Sequence, residues 1–512
     1  MPARCDISVY KPLCLVCAFA VKTFLYIKHS VSDYPLSGIL GKKRASVSDK
    51  EEELPMSAKH QISGYLPDER PPFWKLVLYA LQQVIVMFPA TIAVALLTGF
   101  HVSTTIFASG LATLCFILVT GRKLPLYYGS SFSYLPAITG LMASEALSGY
   151  SLNEKIAVAQ FGIVMSGLVS ILAGIIVNRF GKDSINKILP ATVTGPIAMA
   201  IGLTLAANAL LDATAFPQVA EASTALAGNM ALVISLSTLF ATILFSVYLK
   251  GFWSQLPLLF GPIVGCIAAF IIFKATGLNF FKVLTENANS GLFALPIFTL
   301  PKPSWLAVAA IMPIAIATIP ESTAHVFQLD IYVNDLARKK KSGKKYDIES
   351  KLGLNLIGDG IGDMVAGAIG GPAGTNYGEN ISAMAITRVF SIPVLIAAAV
   401  IAMIIACFTP LINAIYAIPT AVIGGLEIYL FGAIAAQGVA IMLEKKVDLF
   451  SAKNIAVIAT IMVIGVGGQY AFDGNIPFFG LNIPSIAGAA IFGIILNLLL
   501  SIGEKKRLQK AE

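Results

Sequence analysis

Charge is scarce in this chain: only 12% of its 512 residues are Asp, Glu, Lys or Arg, while 56% are hydrophobic and the mean hydropathy is +0.79. Soluble domains carry about 25% charged and 45–50% apolar residues, so an ordinary water-soluble fold is excluded. Short alternating segments of about ten residues, the mark of a membrane barrel, are also missing, and the continuous apolar run 394–408 is their opposite. Histidine is rare, occurring at His29, His60, His101 and His325. The six cysteines are scattered, and the single CxxC, Cys14 and Cys17, has neither a second pair nor a nearby histidine to complete a metal set. No metal and no cofactor are therefore expected. A nucleophile with its base and orienter is absent too, which argues against an enzyme.

What is present are apolar runs of about 17–25 residues, the length that crosses a ~30 Å hydrocarbon core, joined by short polar connections. About fourteen such spans fit between residues 73 and 502, among them 73–98, 125–144, 304–328, 376–389, 391–416 and 418–441. The reading is an all-α polytopic membrane protein. Basic residues gather after the even-numbered spans (Arg122 and Lys123, Arg179, Lys250, the stretch 338–345, Lys445 and Lys446, the tail 503–512). By the positive-inside rule both termini then face the cytoplasm, and the formal charge of +8 reflects topology rather than nucleic-acid binding. Residues 1–72 differ in character, with an apolar run broken by Lys22 and then a polar stretch holding Lys42, Lys43, Arg44 and the acids 51–53. No A-x-A-like site follows the run, which argues against a signal peptide. An extra helix stays open, and the preferred reading is a disordered cytoplasmic extension, with Met56 opening the segment that leads into the first span.

Two matches suggest an internal repeat. Tyr128-Gly129-Ser130-Ser131-Phe132 resembles Tyr377-Gly378-Glu379-Asn380-Ile381, and Pro190-Ala191-Thr192-Val193-Thr194-Gly195 resembles Pro419-Thr420-Ala421-Val422-Ile423-Gly424. Both pairs lie seven spans apart, so the halves 73–276 and 304–502, joined by the extracellular connection 277–303, enter the membrane with opposite orientation.

An ionisable side chain at mid-bilayer costs about 2.5–3.5 kcal/mol, which makes each one a candidate for function. Glu321 and His325 fall at i and i+4 just after Pro320, on one helix face, where a carboxylate and an imidazole can share a proton. The stretch 370–379 is too glycine-rich for regular helix and fits extended backbone ending at a half-helix N-terminus. Free N–H groups there would bind a carbonyl, Glu379 would accept from ligand N–H groups, and Phe132 offers a stacking face from the other half. That set suits a flat ring with alternating C=O and N–H edges. Asp359 reads as a helix-end or supporting group, and Glu427 as a polar lock or gate contact.

At these residues the chain resembles the nucleobase-ascorbate transporter family, and within it the bacterial uracil permeases. The motifs that carry the resemblance are Leu81-Gln82-Gln83, Gly129-Ser130-Ser131-Phe132, Pro-Glu-x-x-x-His at 320–325 and Tyr-Gly-Glu-Asn at 377–380 with Thr387 and Arg388. It implies fourteen spans in two inverted seven-span repeats, core and gate domains, and a short strand in each of spans three and ten. It also implies that Glu321, Glu379, Phe132 and Gly378 meet a base. His325 would support Glu321 in proton coupling, and Ser131, Tyr377, Asn380, Asp359, Thr387 and Arg388 would support the site. Gln83 stands where such permeases often have histidine, so coupling falls to Glu321, His325 or Glu379, and Ser382 replaces a usual glycine. Glu379, where xanthine and urate carriers usually have glutamine, favours uracil. The expected activity is uracil import by proton symport through the inner membrane. Xanthine transport and sodium coupling stand as alternatives, and a homodimer is left open.

Overall fold

A computed structural model describes residues 64–181, 189–216, 224–282, 291–478 and 481–511. Lipid offers no water to backbone N–H and C=O groups, so spanning segments satisfy them internally as helices. In chain order these are α1 (Phe73–Thr98), α2 (Val102–Val119), α3 (Leu135–Ala143), α4 (Leu152–Phe180), α5 (Ala191–Thr204), α6 (Ala206–Ala213), α7 (Thr224–Tyr248) and α8 (Pro257–Thr276). There follow α9 (Trp305–Ile311), α10 (Ala315–Lys339), α11 (Leu352–Ile369), α12 (Gly378–Thr387), α13 (Ile392–Ala406), α14 (Thr409–Tyr416), α15 (Thr420–Glu444), α16 (Ala452–Met462), α17 (Gly468–Phe472) and α18 (Ser485–Ala511). Eleven helical stretches among the described residues are long and apolar enough to cross a membrane, and Phe132–Ala143 and Ile392–Ala406 are shorter apolar ones. The protein is a multi-pass membrane protein.

Proline places many of the starts. Pro72, Pro190 and Pro419 cap α1, α5 and α15, and Pro136, Pro257, Pro393 and Pro410 lie in first turns, where a missing N–H costs nothing. The spans are not all continuous helix: strands stand in the third and tenth, where the resemblance implied them, while the break inside 391–416 was not anticipated. The segment 125–144 begins as strand β1 (Tyr128–Ser130), passes through a 3₁₀ turn at Phe132–Tyr134 and only then becomes α3. The segment 376–389 opens with strand β2 (Gly374–Asn376) before α12, and 391–416 breaks into α13 and α14 around Cys407 and Phe408.

β1 and β2 pair antiparallel, with Tyr128 opposite Asn376, Gly129 opposite Thr375 and Ser130 opposite Gly374. Tyr377 N–H to Tyr127 C=O (2.9 Å) and Ser131 N–H to Ala373 C=O (3.0 Å) extend the ladder at both ends. Only glycine fits at two places in it: a methyl on Gly374 would lie 2.2 Å from the Gly129 carbonyl, and one on Gly129 would enter the Tyr377 ring. A second antiparallel hairpin, β3 (Asn475–Phe478) with β4 (Leu481–Pro484), lies between α17 and α18.

Residues 64–72, assigned to a disordered extension by the sequence, are structured. Tyr65 exchanges two 2.8 Å backbone bonds with Arg388 and Phe390, Leu66 is buried, and the Glu69 carboxylate accepts from Lys340. The rest of that extension, 1–63, lies outside the described residues, as does the side-chain structure of the tail 503–512.

Candidate functional site

The strand pair brings two half-helices nose to nose. The 3₁₀ turn bearing Phe132 follows β1 after Ser131, and α12 begins at Gly378 directly after Tyr377, so both present N-terminal N–H groups at the level of the β1–β2 ladder. The positive ends of two peptide dipoles converge there. Ser131 caps the 3₁₀ turn, its hydroxyl accepting from Ser133 N–H at 3.2 Å.

α10 passes this point and supplies the charges. Glu321 and His325 lie one turn apart on it, both half-buried, as are Phe132, Gly378 and Glu379. The Glu321 carboxyl hydrogen-bonds Ser133 and has Glu379 as its electrostatic neighbour. Glu379 lies in the first turn of α12 and accepts from its own backbone N–H. His325 donates to the Asn376 backbone carbonyl, while its Nδ1 is buried without a partner. Its Nε2 lies so near Gly378 that a methyl there would come to 2.9 Å. The expected Glu321–His325 hydrogen bond is not among the contacts of the described residues: a shared helix face does not oblige two side chains to meet, and each finds a partner on the opposing strand-turn segments. The structure thus brings together Phe132, Glu321, His325, Gly378 and Glu379, with Ser133 as a member the sequence reading missed.

Beneath these lies a buried hydrogen-bond frame. Asp359 Oδ2 accepts from Ser322 at 2.5 Å and from Asn355 at 3.3 Å, and Oδ1 accepts from Asn376 at 2.8 Å. Asp359 stands in the middle of α11 rather than at a helix end, and it ties α10, α11 and β2 together. One turn on, Asp363 Oδ1 accepts from Tyr128 OH at 2.5 Å and from Gly374 N–H at 2.8 Å, fixing both strands. The signal for this frame was available: Asn355, Asp359 and Asp363 recur every four residues, a polar stripe on an otherwise apolar helix. Tyr377 closes the frame through Thr91, 2.9 Å between hydroxyls, and Asn380 donates to Gln83 Oε1 at 2.8 Å. Thr387 and Arg388 are not brought to the site. Thr387 bonds back to Ala383 C=O, and Arg388 is a left-handed cap (φ 58°) at the far end of α12, roughly 13 Å along the helix from Glu379.

The arrangement gathers two neighbouring carboxyl groups, the aromatic ring of Phe132 and the N-terminal turns of two half-helices. It can accept hydrogen bonds from ring N–H groups, donate to ring carbonyls and stack on a planar ring.

The chain is similar to known proteins over most of its length. The family model described as "Permease family" matches residues 74–474. The uracil permease of Bacillus caldolyticus is 34% identical, covering 84% of this chain and 93% of its own. The uracil permease of Escherichia coli (strain K12) is 32% identical, covering 87% and 96%. RutG of the same strain, whose name proposes a pyrimidine permease, is 33% identical over 85% and 91%. Among solved structures, the murine anion transporter Slc26a9 in its inward-facing state superposes with a TM-score of 0.58 at 14% identity, over 91% of this chain and 77% of that one. The transmembrane domain of the cyanobacterial bicarbonate transporter BicA gives 0.53 at 16% identity, over 84% and 99%. At such identities these two speak for the fold alone.

Proposed function

The chain belongs to the Permease family, a family of transporters rather than enzymes, and from that premise we propose that it imports uracil by proton symport across the cell's inner membrane. The observation that carries the proposal is the pair Glu321 and Glu379, electrostatic neighbours on two separate elements, one bonded to Ser133 in the turn that bears Phe132 and the other in the first turn of α12. The Glu379 carboxylate and the acceptor oxygen that Glu321 keeps in either protonation state match the two ring N–H groups of a uracil, and the helix-end N–H groups match its carbonyls. Anionic cargo would be repelled by the same pair.

The transport cycle we infer is alternating access between a core group, α1–α4 with α9–α14, and a gate group, α5–α8 with α15–α18. Fourteen spans in two inverted repeats fit the observed packing, because contacts recur seven spans apart. α4 crosses α11 with Gly167 and Gly360 in backbone contact, and its counterpart α13 meets α2 with Gly110 against Ala399. Both termini would be cytoplasmic. Glu321 is the group we assign to the coupled proton, since moving it uncompensated through a closed intermediate would be costly and protonation removes that cost. His325, held by the Asn376 carbonyl, keeps its free Nδ1 available to a ligand or water beside that carboxyl.

The substrate assignment is tested by uptake of radiolabelled uracil into proteoliposomes holding the full chain, with unlabelled xanthine as competitor. Saturable uracil uptake that xanthine competes for weakly is expected. Uptake of xanthine in preference to uracil would overturn the assignment.

A further inference from the structure

A second acid pair lies outside the site described above. Glu427, in the second turn of α15, is 2% exposed, and its Oε2 finds no hydrogen-bond donor in the protein. The polar group within hydrogen-bond reach of it is another carboxyl, Asp212, in the last turn of α6. Both line a cavity of about 100 Å³ between the helix groups, walled on the α1 and α3 side by Leu96, Leu97 and Thr139 and on the other by Asn208 and Phe431. A water needs about 10–15 Å³ of such space, so the cavity has room for several.

We propose that Asp212 and Glu427 share one proton and form a second proton-holding site, on the gate group and separate from Glu321 and Glu379. An ionised carboxylate only accepts, so two of them in hydrogen-bond contact require a proton between them. The O–H sits on one carboxyl and donates to the other, and its proton exchanges with cavity water, arriving as hydronium and leaving the same way. One negative charge then remains. Lys282 supplies its counter-charge from the edge of the same cavity, held there by its backbone N–H bond to Ala417 C=O at 3.2 Å. Desolvation lowers the Lys282 ammonium below the ordinary lysine value, opposed by the pull of Asp212 and Glu427, so it is placed to answer to this pair. With the proton in place, the two carboxyls and the lysine sum to neutrality inside a region where net charge is expensive. Lys282 is the one cation that acts on the pair among the described residues.

The site stands next to the moving parts the transport cycle requires. Leu135, Leu205, Leu426, Leu430 and Phe431 form one buried cluster, and Phe132 of the substrate space packs against it. The proton site and the proposed substrate space therefore touch the two ends of one apolar contact across the core–gate seam.

The test reads protonated carboxyl directly and needs no transport. Infrared spectra of the purified full chain in detergent near neutral pH, in H2O and D2O, should show a protonated-carboxyl C=O band that Glu427→Gln removes. Asp212→Asn should remove the same band, because each amide supplies the donor that the proton supplied, and the double variant should lose no more than either single one. Glu321→Gln should keep it. A band untouched by both single substitutions would overturn the proposal, as would two different bands whose losses add in the double variant. Should Glu427→Gln fail to yield folded protein, Asp212→Asn alone decides by the presence or loss of the band. Failure here would leave the uracil uptake result standing, and the reverse also holds.

Discussion

Glu379 and Asp359 show how differently two buried acids can work. Glu379, in the first turn of α12, is one of the two carboxyls of the proposed uracil site, and Glu379→Gln keeps the shape and turns half of an acceptor into a donor. Uracil uptake should fall about tenfold or more while membrane expression is unchanged, a loss of about 1.4 kcal/mol per tenfold; uptake at the wild-type rate would remove Glu379 from the site. Asp359 faces inward and receives Ser322, Asn355 and Asn376. Asp359→Asn places an amide donor against the Asn376 donor and should cost about 1–3 kcal/mol of stability, the penalty of leaving a buried polar group unpaired. It should read as a lowered thermal midpoint in detergent even without uracil, and an unchanged midpoint would count against a framing role. The difference between the two acids explains what was legible in sequence. Glu321 and Glu379 stood out because a charge in an apolar run is conspicuous by itself. Apart from the i−4 bond from Asn355 to Asp359, the roles of Asp359, Asp363 and Ser133 depend on distant partners, such as Gly374 and Tyr128, 11 and 235 positions from Asp363, and no local pattern names such partners.

Among the elements, the crossing of α4 on α11 decides how closely the core group can pack. Lipid tails are as apolar as leucine, so helix association here rests on close van der Waals approach and small residues rather than on the hydrophobic effect. A methyl on Gly167 would sit 2.4 Å from the Gly360 carbonyl oxygen, and this nearest contact is backbone, which cannot step aside as a side chain can. Gly167→Ala should therefore destabilise by about 1–3 kcal/mol, seen as a lower thermal midpoint and more aggregate on size exclusion; a wild-type midpoint would show that the helices shift apart at little cost. Long apolar helices were readable from length and hydropathy. The strands β1 and β2 were not readable from periodicity, because three residues are too few to show alternation; only the glycine content of 370–379 marked a break, and the resemblance supplied the rest.

At the scale of the whole molecule, residues 64–72 act as a clamp across one end. Tyr65 bonds the turn after α12, Pro67 C=O accepts from Ile392 N–H at 3.1 Å, and Ser391 donates to Glu69 C=O at 2.6 Å. A chain starting at Met56 keeps every one of these contacts and should insert and transport like the full chain. Deletion through Pro72 removes them and should reduce folded yield; equal yields from both truncations would show the clamp to be dispensable. Sequence placed this segment in the extension because its nine residues carry no apolar run, and its order comes from backbone bonds to distant segments.

The central claim, that uracil movement is tied to protons through a carboxyl-lined site, is met most directly by accumulation in proteoliposomes with the proton and sodium gradients imposed separately. Radiolabelled uracil should accumulate under an inward proton gradient in sodium-free buffer, and Glu321→Gln should abolish the gradient-driven part even where some uracil still binds. Uptake that collapses without sodium, or that ignores the imposed pH gradient, would contradict the account.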